Sequence, residues 1–293
     1  MATLIPIKSQ NIQGIGFMLI GVLFMSSMDA VGKFLVQADY SVIQILAIRG
    51  MFNLTVLLTW MVTHGGFGSV KTKQYKGHGL RIIFGLLAPL LFFMSLKHLP
   101  LAEATVIFFV SPFIMTALSV PIFKEKVGLH RWGAIIVGFA GVLIVLQPTS
   151  GLLEIEAFMV LGASLSYCAI MLIGRWLGTT ESTFTIIFYM TLGTTTITGL
   201  ASFFVWQPIP LEHIGLIAAM AVLSLSGNIC LIRAFRVGEV GVITPFEYTG
   251  LLWAVMLGYL VFAELPAAHV WTGVAVIGVS GLYLVYRENR QKS

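Results

Sequence analysis

The sequence predicts an all-α polytopic membrane protein, ten transmembrane helices forming two inverted five-helix repeats. Three observations carry that expectation. Hydrophobic residues make up 58% of the 293 and charged residues only 10%, against roughly a quarter charged in soluble domains. The mean hydropathy is +0.96, and the apolar residues fall into ten runs of bilayer-crossing length, about 18–25 residues each. Finally, the two halves carry matching motifs. Phe123-Lys-Glu125 precedes His130 and Trp132, and Phe262-Ala-Glu264 precedes His269 and Trp271, both reading F-x-E-x4-H-x-W. Phe17-Met18 with Gly21 and Gly32-Lys33-Phe34-Leu35 match Phe158-Met159 with Gly162 and Gly174-Arg175-Trp176-Leu177. Strands are excluded because an open sheet edge cannot face lipid.

The spans follow in order. The first, at about 12–36, runs directly from a short polar tail. It is too long for a signal h-region and lacks a small-residue cleavage site, so it is expected to remain in the mature protein. The second, at about 41–63, holds Arg49 and Asn53, and the third, at about 77–97, follows a basic stretch of Lys71, Lys73 and Lys76. The fourth, at about 101–122, opens near Glu103 and closes at Glu125, and the fifth, at about 131–148, carries Trp132 and the pair Gly138/Gly141. The sixth and seventh, at about 155–177 and 183–206, include Tyr167 and Tyr189. The eighth, at about 212–234, holds Asn228, and the ninth, at about 240–262, opens near Glu239 and carries Glu247. The tenth, at about 268–286, contains Trp271 and the pair Gly278/Gly281. Glycines at such spacing let membrane helices approach closely, within a half or between protomers.

The formal charge of +5 orients the chain. With the N-terminus inside, Lys8, Lys71, Lys73, Lys76, Arg81, Lys124, Lys126, Arg131, Arg175, Arg233, Arg236, Arg287, Arg290 and Lys292 fall on inner loops and ends. Lys33, Arg49 and Lys97 fall in or near the outer half. This positive-inside bias places both termini in the cytoplasm and argues against a nucleic-acid partner. Cys168 and Cys230 lie within predicted spans, where they read as buried thiols and not as a disulfide framework.

Five spans per half force the second copy, 151–293, to insert upside down relative to the first, 1–150. Inverted repeats are a recurring transporter design, because two similar units can exchange conformations around one site. The chain is also similar to a known family. Two five-span halves, the Pro112 to Glu125 stretch, and the run Thr244-Pro-Phe-Glu-Tyr-Thr-Gly-Leu-Leu-Trp-Ala254 resemble the EamA type of the drug/metabolite transporter superfamily. The resemblance implies a ten-helix bundle around a central cavity, carrying small organic metabolites across the bacterial inner membrane. Members with a Phe-Glu-Tyr-Thr run in this place imply vitamin or cofactor-like substrates, of the riboflavin or S-adenosylmethionine type. The second half departs from the pattern: Pro112 stands thirteen residues before Glu125, whereas Pro245 stands nineteen before Glu264. The ninth helix is therefore expected to kink or unwind at a different place.

The repeat also sorts the polar residues. Glu103, Glu125, Glu239 and Glu264 recur in both halves near helix starts, where carboxylates satisfy free N–H groups and the helix dipole. Glu125, Glu264, Trp132 and Trp271 are accordingly assigned to the repeat's own fold, with both tryptophans in the interfacial belt. Five residues break the symmetry. Asp29 stands opposite Met171, Arg49 opposite Met190, Asn53 opposite Thr194, Asn228 opposite Phe92 and Glu247 opposite Phe108. Ionisable groups in a bilayer face bundle interiors or wet cavities. Asp29, Arg49, Asn53, Asn228 and Glu247, with Tyr248 and Trp253 as stacking groups, are the candidate substrate or gate residues. Asp29 and Arg49 read equally as a structural ion pair. Glu247, beside Pro245 and with no basic residue within a helical turn, is the proton-coupling candidate.

No cofactor or metal is expected, since the histidines have no converging ligands. Without H-E-x-x-H or a nucleophile–base pair, an intramembrane enzyme is disfavoured, and unlike halves offer no channel filter. The near-cancelling charges of Asp29, Arg49 and Glu247 fit a zwitterionic, cationic or neutral aromatic solute. Importer and amphipathic-metabolite exporter both remain open, as do proton coupling and exchange, and a monomer or a homodimer.

Overall fold

The computed structural model describes residues 7–64, 70–124, 129–146, 155–237 and 243–292. Every regular element in them is helical: α1 (Ile7–Gln37), α2 (Val42–His64), α3 (Tyr75–Ser95), α4 (Leu101–Phe108), α5 (Ser111–Phe123), α6 (Leu129–Leu146), α7 (Ile155–Leu177), α8 (Thr183–Ser202), α9 (Leu211–Val237), a 3-10 turn (Thr244–Tyr248), α10 (Thr249–Phe262) and α11 (Ala268–Lys292). Seven helical segments are long and apolar enough to cross a bilayer, and three shorter apolar helices, Ile135–Val145, Phe246–Phe262 and Ala268–Tyr283, complete the ten expected spans. This is an all-α, multi-pass membrane protein. Glu125, the glutamate of the first F-x-E motif, lies outside the described residues, as does Glu239.

Two spans are interrupted, and proline causes both interruptions. Pro112 has no N–H to give and its ring crowds the preceding turn, so the fourth span breaks into α4 and α5 around Phe109 and Val110. Within the ninth span Thr244–Tyr248 forms a 3-10 turn, with Pro245 near its start, before α10 takes over. Counted back from Glu125 and Glu264, Phe109 and Tyr248 are equivalent, and the helices restart within one residue of each other, at Ser111 and Thr249. The breaks coincide although the prolines do not, and the expected displacement of the unwinding is not found. Both spans also close alike. Lys124 (φ 55°) and Ala263 (φ 55°) are left-handed and end α5 and α10. They are the x of the two F-x-E motifs. After the second, Ala263 N–H donates to Tyr259 O and Glu264 N–H to Gly258 O, each at 3.0 Å.

The residues pack into two compact units, each drawing on both halves of the sequence. The first comprises 1–30, 100–153 and 222–293; the second comprises 31–99 and 154–221. Within the first, α4 packs on α10 and α6 on α11, pairing spans four with nine and five with ten. Within the second, α2 packs on α8, pairing spans two with seven, and α3 packs on both α7 and α8. Three repeat-equivalent pairs, spans two with seven, four with nine and five with ten, therefore lie against one another, whereas the third span packs on the sixth and seventh. Among the motif glycines, Gly141 serves such a contact and Gly138 a contact between neighbouring spans. The Phe113 ring occupies the space a side chain at Gly138 would need, and Gly141 lies on Val276 and Ile277 of α11.

Candidate functional site

In the first unit, the polar residues of the ninth span sit at its interruption. Glu247 lies in the 3-10 turn, half-buried, where the turn replaces regular α-helical hydrogen bonding. Thr249 donates its hydroxyl to Phe246 O at 2.6 Å, holding the turn-to-helix junction. Glu247 takes part in no ion pair among the described residues. Tyr248 stacks on Phe109, ring centroids 5.4 Å apart and 29° between planes. Phe109 lies in the other interruption, so the two broken spans meet through their aromatic residues. Counted from Glu125 and Glu264, Phe109 and Tyr248 are also repeat-equivalent positions. The Tyr248 phenol rests against Gly281 of α11, in the space a side chain there would fill. Beside it, Tyr248, Leu251, Leu252, Val255, Trp271, Val274 and Gly278 line a groove of about 220 Å³.

Trp253, one turn further along, packs on Met18, Val22, Ala234 and Ile243. Its indole N–H is buried and has no hydrogen-bond partner. Burial against α1 and α9 explains a tryptophan far from the interfacial belt. Asn228 is exposed on α9 and donates to Ser224 O at 2.9 Å, satisfying itself on its own helix. Asp29, also in this unit, is half-buried. Trp132 and Trp271 are exposed on α6 and α11. Glu264 accepts the Leu101 N–H at 3.1 Å. Leu101 opens α4 after Pro100, whose own side chain makes no capping hydrogen bond. The recurring carboxylate thus serves a helix N-terminus, that of α4.

In the second unit, α2 places half-buried Arg49 and Asn53 one turn apart, and the Asn53 Oδ1 is buried without a hydrogen-bond partner among the described residues. Two buried basic residues here carry more than the sequence indicated. Lys33 is 1% exposed and donates to Leu99 O at 2.9 Å. Arg81 is buried within α3, donating Nε to Ile170 O at 3.2 Å and Nη1 to Ile186 O at 3.3 Å. It ties α3 to α7 and α8, where the charge count had treated it as a residue of the inner face. Near it His78 stands 3.6 Å from Glu181 and stacks on Tyr189 at 4.7 Å. Glu181 also receives the Thr72 hydroxyl at 2.5 Å, and Tyr189 donates to Val70 O at 3.0 Å. Tyr189 of the seventh span is engaged in this loop-to-helix tie.

At the opposite end of this unit, Lys97 pairs with exposed Asp39 at 2.7 Å. That hydrogen bond, with the lysine's charge, holds the Asp39 carboxyl below its ordinary value of 3.8. The pair rims a cavity of about 410 Å³ with His98, Glu156 and a floor of Leu90, Met94 and Met159. Both cysteines are free thiols. No cluster of His, Cys, Asp and Glu among the described residues is arranged to hold a metal ion.

Residues 12–147 match the EamA-like transporter family. Over nearly its whole length the chain is similar to the riboflavin transporter of Vibrio cholerae, at 25% identity and 97% coverage of each chain. It is similar to the S-adenosylmethionine uptake transporter of Rickettsia bellii at 27% identity and 96% coverage of each. Similarity to the pseudopaline exporter of Pseudomonas aeruginosa is 27% identity over 70% of this chain and 73% of that one. One solved crystal structure matches with a TM-score of 0.60 at 14% identity, covering 94% of this chain and 99% of its own. That likeness shows the fold.

Proposed function

We propose that the EamA-like domain of residues 12–147 and the second half that repeats its pattern work together as one secondary transporter. It moves a small organic metabolite by alternating access. The observation that carries this proposal is the meeting of two interrupted spans, one of them bearing Glu247. Non-helical backbone at membrane depth is tolerated only where protein buries it or a water-filled cavity takes it up. Discontinuous helices are where transporters build substrate and ion sites. Glu247 is the coupling or recognition group, with Tyr248 beside it as a stacking face. Asp29, Arg49, Asn53 and Asn228 are the further polar contacts, and Trp253 supports the site by packing.

For the substrate, the near-cancelling charges of Asp29, Arg49 and Glu247 favour a zwitterionic, cationic or neutral aromatic compound over a polyanion. The riboflavin and S-adenosylmethionine transporters among the similar proteins support a vitamin or cofactor-like solute. Export of an amphipathic metabolite is the second reading, supported by the similarity to a pseudopaline exporter. The 1–150 and 151–293 halves act as the exchanging repeats, in the inner membrane with both termini cytoplasmic. A C-terminal reporter active only in the cytoplasm tests that orientation.

The decisive experiment uses purified protein in liposomes with labelled flavins, adenosyl compounds, amino acids and opines. A carrier gives saturable flux and counterflow, whereas linear, unsaturated flux removes the proposal. Glu247→Gln should abolish uptake or change its pH dependence without loss of folded protein. Wild-type transport with a wild-type pH profile would remove Glu247 from the coupling role.

A further inference from the structure

Helix α8 carries a run of threonines whose hydroxyls, in a bilayer, normally return to the helix's own carbonyls. Thr194 donates to Met190 O, Thr196 to Leu192 O and Thr198 to Thr194 O, each at 2.8 Å. Thr195 does not follow. It is 5% exposed, and its Oγ1 is buried with no hydrogen-bond partner among the described residues. The hydroxyl lies instead against Gly50 of α2, in the space where a side chain at that position would stand. Three residues on, and so on the same face of α2, is Asn53, whose Oδ1 is likewise buried and unpartnered. Two polar oxygens are thus left unsatisfied around one glycine recess, where α2 and α8 pack together.

Helix-to-helix adhesion does not account for them. Polar residues join membrane helices by hydrogen-bonding across the contact, and these two make no such bond. Leaving a buried polar atom unpaired is costly. The recess at Gly50 keeps the Thr195 hydroxyl turned from the carbonyls that its neighbours use. We propose that Asn53 and Thr195, with Gly50 as the recess between them, form a seat for an uncharged hydrogen-bonding group of the transported solute. An amide oxygen accepts only, whereas a hydroxyl both donates and accepts. Together they complement a group that offers a donor beside an acceptor: an amide, an imide or an alcohol. Arg49, one turn before Asn53, disfavours a cation at the same place. This seat deepens the transport proposal, since it names the part of the solute that α2 and α8 would read.

The experiment has two arms, and only the second depends on the transport proposal. Wild type, Thr195→Val, Thr195→Ser and Asn53→Leu are purified without added solute, and thermal unfolding is followed. A hydroxyl with no partner loses nothing on replacement by an isosteric methyl. Thr195→Val should therefore unfold at the wild-type midpoint or above it. A midpoint lower by about 2–4 °C, the shift expected for one lost hydrogen bond, overturns the seat and makes Thr195 a structural residue. In the second arm, Kd is measured for the flavin or adenosyl compound that most stabilises the wild type. Thr195→Val and Asn53→Leu should each weaken it about tenfold, the scale of one hydrogen bond, with Thr195→Ser close to wild type. An unchanged Kd in both overturns the seat, leaving a recess that holds water only. If no compound binds the wild type, the substrate proposal fails while the first arm still decides the seat. A fallen midpoint then overturns it and an equal or raised midpoint upholds it.

Discussion

Replacing Glu264 tests the reasoning about the repeated motif most directly. Its carboxylate accepts the backbone N–H of Leu101 at 3.1 Å, at the start of a helix that follows Pro100, whose own side chain makes no capping hydrogen bond. A capping side chain cut back to alanine costs about 0.5–2 kcal/mol. The negative charge at a helix N-terminus adds about 0.3–1 kcal/mol. Glu264→Ala should therefore cost about 2 kcal/mol. For a chain of this size that lowers the unfolding midpoint by about 4–6 °C, at roughly 2–3 °C per kcal/mol. Glu264→Gln keeps an acceptor oxygen and loses the charge, so it should cost well under half as much. Thermal unfolding of the purified protein measures both, with transport per folded molecule followed in parallel and expected to change little. An unmoved midpoint in Glu264→Ala, or a glutamine as damaging as the alanine, would refute the capping role. Near-native stability with transport abolished would move Glu264 from the scaffold to the site.

Three further outcomes are expected. Ala263 adopts φ 55°, a conformation that costs an L-residue about 1–2 kcal/mol and glycine little. Ala263→Gly should raise the unfolding midpoint by about 1–3 °C, allowing for the extra freedom that glycine gives the unfolded chain. Gly281→Ala puts a methyl group where the Tyr248 phenol lies; overpacking of about 1–3 kcal/mol should displace that ring, and uptake should fall more than the yield of folded protein. Asp39 has a folded pKa below its ordinary 3.8, chiefly through the Lys97 hydrogen bond, so its contribution is present above that value and lost as pH falls through the lower folded one. The midpoint difference between wild type and Asp39→Asn should be constant from about pH 5 to 8 and close below pH 3.8; a difference that does not vary with pH counts against the pairing.

The helices were legible because each is written as a long apolar run, and bilayer thickness fixes how long such a run must be. That the ninth span unwinds was legible for a similarly local reason, the missing N–H of Pro245, whereas the break in the fourth span and its coincidence with the ninth were not. What could not be read was which residues far apart in sequence meet. Glu264 was placed at a helix start from its charge and recurrence, yet the start it serves is that of α4, 163 residues away in sequence. Lys124 and Ala263 give no compositional hint of a left-handed backbone. Arg81 lies near a helix end, where a basic residue reads as a topology signal, and only the packing of α7 and α8 around α3 reveals its buried hydrogen bonds. Thr195 sits in a run of similar threonines, and the one signal that sets it apart is a glycine on another helix. The compact units also cut across the sequence halves. Apolar periodicity says that a helix must be covered and leaves open which helix covers it.

The Phe109–Tyr248 stack bears on how such a repeat could work. Two equivalent positions touch, so the pseudo-two-fold relation between spans four and nine passes close to these rings. Around that contact the backbone is alike in kind, each span broken beside a proline and each closed by a left-handed residue before a glutamate. One position away the likeness ends, since Glu247 stands where the first half has Phe108. Similar shape makes the two conformations of the proposed cycle comparable in energy. The dissimilar charge ensures that protonating or binding at Glu247 acts on one repeat and not on both, so the two conformations respond differently to it. A ligand shifts an equilibrium only by its differential affinity for the two states. Placing a second carboxylate by Phe108→Glu should therefore reduce the coupling of transport to pH, even where the protein folds. Retention of the wild-type pH profile in that variant would show that the asymmetry at this pair of positions does not carry the coupling.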